Sequence, residues 1–164
     1  MTMKNYVSNS STNQPTRMVG TGVVILRRVE TEIEVLLIRR GKPPRVDDWS
    51  IPGGRQELGE TVRESATREI KEETNLTIRN LDLVDVVDAT IRDATGNISV
   101  QWTLIDFRAF WDGGTAKAGS DATEVRWVPI RKLKKYDLWD ETLRVIIEAT
   151  HLPNSRDKVK YSND

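Results

Sequence analysis

Pro52-Gly53-Gly54-Arg55-Gln56-Glu57-Leu58-Gly59-Glu60-Thr61-Val62-Arg63-Glu64-Ser65-Ala66-Thr67-Arg68-Glu69-Ile70-Lys71-Glu72-Glu73-Thr74-Asn75-Leu76 is the stretch from which the fold can be read. The paired glycines after a proline predict a backbone turn with no side chains, where a carbonyl or amide can approach a ligand closely. Thr61 and Glu64 stand at capping-box spacing, so a helix is expected to start at Thr61. Asn75 tolerates the left-handed conformation in which helices stop, and is expected to end it. Projected at 100° per residue from Glu69, the residues Val62, Ala66 and Ile70 fall at about 20°, 60° and 100° and form the buried stripe. Glu73 falls at about 40°, inside that stripe, and Glu72 at about 300°, on its flank. Arg63, Glu64, Thr67, Lys71 and Thr74 fill the polar arc, with Glu64 and Arg68 spaced as a favourable (i, i+4) pair.

Glu69, Glu72 and Glu73 therefore crowd one turn on a partly inward side. At ~6 Å and an effective dielectric near 20, each partly desolvated pair repels by up to roughly 3 kcal/mol. A divalent cation converts that repulsion into binding.

Outward from the helix the pattern is mostly strand. Gly20–Leu26 and Glu34–Arg39 read as a hairpin, Trp49–Ile51 as a brief extended piece, and Leu81–Val87, Val100–Phe107 and Glu124–Val128 as further strands. The prolines of Lys42–Asp48 demand a loop, and Glu141–Thr150 reads as a second helix. Strands with two helices of different placement give an α/β class with a mixed sheet. Residues 17–152 form one domain, with polar, flexible tails expected at 1–16 and 153–164.

Composition narrows the chemistry. Lys plus Arg and Asp plus Glu each total 25 in 164 residues, so the formal net charge is zero and a general nucleic-acid or membrane-surface binder is disfavoured. With no cysteine, thiolate sites and cysteine nucleophiles are excluded. The one histidine, His151, rules out multi-histidine metal sites and is expected to sit at a helix end. Oxygen ligands remain, and they favour hard cations. No apolar run reaches the roughly 18 residues of a membrane span, and no signal peptide is seen, so a cytoplasmic protein is expected.

Gly54, five residues, Glu60, seven residues, then Arg68-Glu69-Ile70-Lys71-Glu72-Glu73-Thr74-Asn75-Leu76 resembles the box of the Nudix hydrolase family (MutT-like) over 23 positions, with Asn75 where the family has glycine. The resemblance implies an α/β/α sandwich around a mixed sheet. It implies hydrolysis of the pyrophosphate bond in a nucleoside diphosphate linked to another group, using Mg²⁺ or Mn²⁺. Glu69, Glu72 and Glu73 would be the metal ligands, with the Gly53 carbonyl as a further one and Arg68 orienting the carboxylates. Glu69, ahead of Glu60, would be the general base, and either Asp121 or Glu124 is a candidate additional acid.

Arg39 and Arg40 either clamp phosphates or solvate a strand end, and Gly54 offers its backbone to the substrate. Trp139 and Asp140 correspond to a base-reading region, although core packing for Trp139 and helix capping for Asp140 are the commoner roles. Trp102, Trp111 and Trp127 are expected to pack. A proline marking ADP-ribose hydrolases is missing at Ile91 and Arg92, as is a tyrosine marking dinucleoside polyphosphate hydrolases near Arg92-Asp93-Ala94. A nucleoside triphosphate or another nucleotide derivative is the leading substrate. An ADP-ribose or nucleotide-sugar pyrophosphatase, and a non-catalytic nucleotide- or RNA-sensing module, are the alternatives. The expected partner is a small nucleotide, without membrane or stable nucleic-acid complex, and a homodimer is compatible.

Overall fold

Unbroken apolar runs mark the two central strands, Val23–Leu26 in β1 (Thr16–Val29) and Val35–Ile38 in β2 (Glu32–Arg40). Successive residues of a strand face opposite sides, so such runs need cover on both. On one side Val24, Leu26, Val35 and Leu37 pack with Val145, Ile146 and Ala149 of the helix α2 (Asp140–His151). On the other, Val23, Ile25 and Leu36 pack with Ala66 and Ile70 of α1 (Val62–Thr74). The result, in a computed structural model that describes residues 15–43, 45–119 and 121–153, is the expected α/β/α sandwich.

The remaining strands are β3 (Trp49–Ser50), β4 (Gly53–Arg55), β5 (Thr77–Arg92), β6 (Ile98–Gly113) and β7 (Ala122–Pro129). The path runs β3-β2-β1-β6-β5, with β4 beside β1 and β7 beside β2. β1 and β6 are parallel from Thr16↔Val100 to Leu26↔Phe110, and the other pairings are antiparallel. The expected tails lie outside the described residues apart from their inner ends, and Thr16 already begins β1. Among the described residues no helix is long and apolar enough to cross a membrane.

Several expectations are corrected. The Gly53-Gly54 turn is a short strand, because without a side chain Gly53 can lie against β1; a Cβ there would fall 2.0 Å from the Thr21 carbonyl oxygen. β5 and β6 run well beyond their apolar segments, since hairpin backbone pairing carries the polar ends. Thr74, assigned to the solvated arc, is fully buried: Lys117 N–H donates to its carbonyl, and its hydroxyl donates to the Ile70 carbonyl at 2.6 Å. The Glu64–Arg68 pair does not form, because Glu64 closes the capping box on Thr61 while Arg68 turns to other carboxylates. A 3₁₀ helix at Ile130–Lys135, unread in the sequence, links β7 to α2. Trp139 rather than Asp140 is the N-cap of α2, and Asp140 contributes only its charge to the helix start. Trp111, expected to be packed, is 40% exposed.

Asn75 stops α1 in the left-handed region, at φ 59°, with its N–H on the Lys71 carbonyl. An alanine there meets the steric penalty of that conformation, so Asn75→Ala is expected to cost about 1 kcal/mol while Asn75→Gly costs little. Urea denaturation of the three proteins checks this.

Candidate active site

Helix α1 and strand β4 bring the acidic residues together. Glu73 is 5% exposed, and Gly53 N–H donates to its Oε2 at 2.8 Å. Glu69 lies beside it, its carboxylate where a Cβ on Gly54 would be, 2.4 Å from Oε1. Both glycines of β4 are thus required by close approach, one to the sheet and one to a carboxylate. Glu72 is the exposed member. The guanidinium of Arg68 ties the group: Nη1 donates to Glu69 Oε1 at 2.9 Å and Glu72 Oε2 at 3.2 Å, Nη2 to Glu60 Oε1 at 2.7 Å and to the Arg55 carbonyl at 3.2 Å. Nε donates to Glu60 Oε2 at 3.1 Å, completing a bidentate pair.

Environment separates the carboxyls. Arg68, followed by the Glu57 N–H, holds Glu60 down to about 2, which makes it a poor proton acceptor at neutral pH. Burial raises Glu69 against the pull of Arg68. Burial pushes Glu73 up to about 7, opposed by the Gly53 N–H and reinforced by the charges of Glu69 and Asp121. Arg40 lowers it, so the cation at the end of β2 acts on this cluster, whereas Arg39 pairs with Asp47 at 3.4 Å.

The two candidate loop acids diverge. Asp121 acts on both Glu69 and Glu73, and accepts from Lys42 Nζ at 2.5 Å. Glu124 pairs with Arg126. The chain before Asp121 is tied to α1 by Gly119 N–H donating to the Glu73 carbonyl at 2.9 Å. A Cβ on Gly119 would fall 1.8 Å from the Glu72 carbonyl oxygen, so only glycine lets this loop lie so close. Trp139 packs partly buried against the core under α2, with the Arg45 guanidinium 5.9 Å from its ring centre, and Asp140 is exposed. His151 is the last residue of α2, its Nδ1 2.8 Å from the Ile147 carbonyl oxygen.

Among the described residues, no three acids or histidines converge at ligating distance, because Arg68 draws Glu69 and Glu72 while Gly53 N–H draws Glu73. It is the amide of Gly53, rather than its carbonyl, that meets Glu73. The donor set still fits a divalent cation. It is all oxygen, adjacent in one turn, and includes a carboxyl whose ionisation is suppressed by burial and by the neighbouring negative charges.

The model of the NUDIX domain matches residues 16–149, and the chain belongs to that family. It is 36% identical over 107 residues to an ADP-ribose pyrophosphatase of Methanocaldococcus jannaschii, covering 65% of this chain and 61% of that protein. It is 31% identical to an 8-oxo-dGDP phosphatase of Mus musculus, covering 65% of this chain and 32% of that one. The matches thus span under two thirds of these relatives' lengths. Among solved structures it resembles a MutT NUDIX hydrolase of Burkholderia pseudomallei, at 26% identity and TM-score 0.68, covering 81% of this chain and 98% of that one. The fold also resembles the NUDIX domain of Shewanella oneidensis NrtR complexed with ADP ribose, at 20% identity and TM-score 0.71, covering 92% and 97%.

Lys42 and Gly119 carry contacts that sequence reasoning missed, since both depend on segments distant in the chain. Gly54→Ala places a methyl on the Glu69 carboxylate and is expected to weaken Mn²⁺ uptake roughly 10- to 100-fold, measured by electron paramagnetic resonance titration.

Proposed function

We propose that the chain is a divalent-metal-dependent pyrophosphohydrolase acting on a nucleoside diphosphate linked to another group, with a nucleoside triphosphate or nucleotide derivative as substrate and Mg²⁺ or Mn²⁺ as the ion. The observation that carries this reading is the Arg68 guanidinium, which donates to Glu60, Glu69 and Glu72 in the same helix turn region as the buried Glu73. Family membership and relatives that include an ADP-ribose pyrophosphatase and an 8-oxo-dGDP phosphatase support it.

Glu69, Glu72 and Glu73 would hold the ion, with the Gly53 carbonyl as a further candidate oxygen. Bound there, the ion would supply charge neutralisation for phosphate oxygens and would lower the pKa of a water. Arg68 orients Glu69 and Glu72, and Glu60 in turn fixes Arg68. Glu69 accepts the water's proton, since burial has raised its basicity while Glu60 is too weakly basic. Asp121 is the loop acid that joins the site, because its charge acts on both Glu69 and Glu73, whereas Glu124 pairs with Arg126 on its own strand. Arg40, close enough to act on Glu73, binds a phosphate, and Gly54 presents its backbone to the substrate. Most of the rate then comes from positioning and electrostatics.

Retention of all three acids favours turnover over the non-catalytic sensing alternative, and an ADP-ribose or nucleotide-sugar substrate is the second reading, favoured by the Methanocaldococcus relative. A panel of nucleoside triphosphates, ADP-ribose and nucleotide sugars with Mg²⁺ or Mn²⁺ is expected to release phosphate or pyrophosphate from at least one member, and chelation is expected to stop it. Glu73→Gln is expected to lower turnover about a hundredfold or more. Its thermal stability at pH 8 is expected to equal or exceed that of the parent. Glu73 binds its proton more tightly folded than unfolded, so its contribution favours the metal-free fold at low pH and is lost as pH rises through about 7. Binding without release across the panel, or full activity in Glu73→Gln, contradicts the proposal.

A further inference from the structure

Three buried side-chain atoms among the described residues lack a hydrogen-bond partner: Thr21 Oγ1, Ser65 Oγ and Arg108 Nε. Two of them have an evident place. Arg108 donates through its other two nitrogens to Asp82 and to the carbonyls of Leu152 and Pro153. Ser65 stands near enough to Glu60 to help hold that carboxyl down. Thr21, on β1 and 3% exposed, has neither kind of company. A buried hydroxyl without a partner costs free energy, and a valine of the same shape would avoid that cost. The fold therefore carries a polar group for which its own packing has no use.

Register places that hydroxyl beside the acidic turn. Thr21 pairs with Gly54 across the antiparallel β1–β4 ladder, and paired residues project to the same face of a sheet. The face is the α1 side, since Val23 and Ile25, two and four positions along β1, pack with Ala66 and Ile70. Gly54 has no side chain, and the Glu69 carboxylate fills its place: a Cβ there would fall 2.4 Å from Oε1 and 2.6 Å from Oε2. Opposite residues of an antiparallel pair hold their Cβ atoms about 5 Å apart. The Thr21 hydroxyl thus stands next to the Glu69 carboxylate, on its sheet side. Arg68 Nη1 donates to Oε1 at 2.9 Å, and no hydrogen bond reaches Oε2 among the described residues. On β6 the partner of Thr21 is Ile105, which offers no side-chain acceptor.

We infer that Thr21 is a positioning residue for Glu69, its hydroxyl donating to the carboxylate when Glu69 serves as a metal ligand. This rests on the metal-dependent reading proposed above. Hydrogen bonds to a ligating carboxylate fix its direction and raise the affinity of the site. A hydroxyl does this without a charge, whereas a second guanidinium or an ammonium beside Glu69 would compete with the cation for the same oxygens. The β-branched side chain is stiff about its first torsion, so the strand itself sets where the hydroxyl stands. Arg68 and Thr21 then divide the work: the arginine holds Glu69 together with Glu60 and Glu72, and the threonine supports it from the sheet.

The test follows Mn²⁺ uptake by electron paramagnetic resonance, and the melting temperature without metal, in the full chain and two variants. Thr21→Val keeps the shape and removes the hydroxyl; Thr21→Ser keeps the hydroxyl and removes a methyl. Thr21→Val is expected to bind Mn²⁺ roughly tenfold more weakly than the parent, with a melting temperature equal to the parent's or higher. Thr21→Ser is expected to bind within about threefold of the parent while melting lower, because it leaves a small cavity. A hydroxyl with a purely structural role gives the reverse order of stability, with Thr21→Val melting below the parent. That result, or uptake by Thr21→Val equal to the parent's, overturns the inference and leaves the metal-dependent reading standing. No uptake by the parent overturns both.

Discussion

The hydrogen bond from Gly53 N–H to the Glu73 carboxylate is the interaction around which this molecule is arranged. It joins the three-residue strand β4 to the acidic helix, where a side chain on Gly54 would strike the Glu69 carboxylate. It also leaves a carboxyl in a place where its own charge is unwelcome, at a pKa of about 7. On the proposed reading a bound cation would relieve that cost, and the neighbouring acids would give it its remaining oxygen partners.

The rest of the architecture serves to keep α1 in that place. Its start is closed by Thr61 and Glu64, its end by Asn75, and its buried face by Ala66 and Ile70 on the sheet. The loop ending at Asp121 runs along the last turn, held by backbone bonds from Lys117 and Gly119 and made possible by the missing side chain of Gly119. From the opposite side, Lys42 reaches Asp121, so the loops after β2 and before β7 meet over the acidic turn. Arg68 completes the frame from within, since one planar guanidinium satisfies three carboxylates at fixed angles, which an ammonium could not do.

Much of this was legible in the sequence because it is local. Capping, the helix stop, the inward angle of Glu73 and the apolar runs of β1 and β2 all follow from residues a few positions apart. What could not be read depends on contacts between distant segments. Thr74 looks solvated by periodicity and is buried because residues 114–119 lie on it. Arg68 looks paired with Glu64 and is taken by Glu60, since Glu64 is already bound at the cap. Glu124 looks as available as Asp121 in the sequence and is paired with Arg126, a partner that only the strand places.

Calorimetric titration of the protein with Mg²⁺ or Mn²⁺ at pH 7, repeated in two buffers of different ionisation enthalpy, tests the central claim most directly. The account predicts uptake of the ion together with release of protons, because burial holds the Glu73 carboxyl well above the usual carboxylate range before binding and a bound cation would ionise it. No uptake, or uptake with the same apparent heat in both buffers, would contradict it.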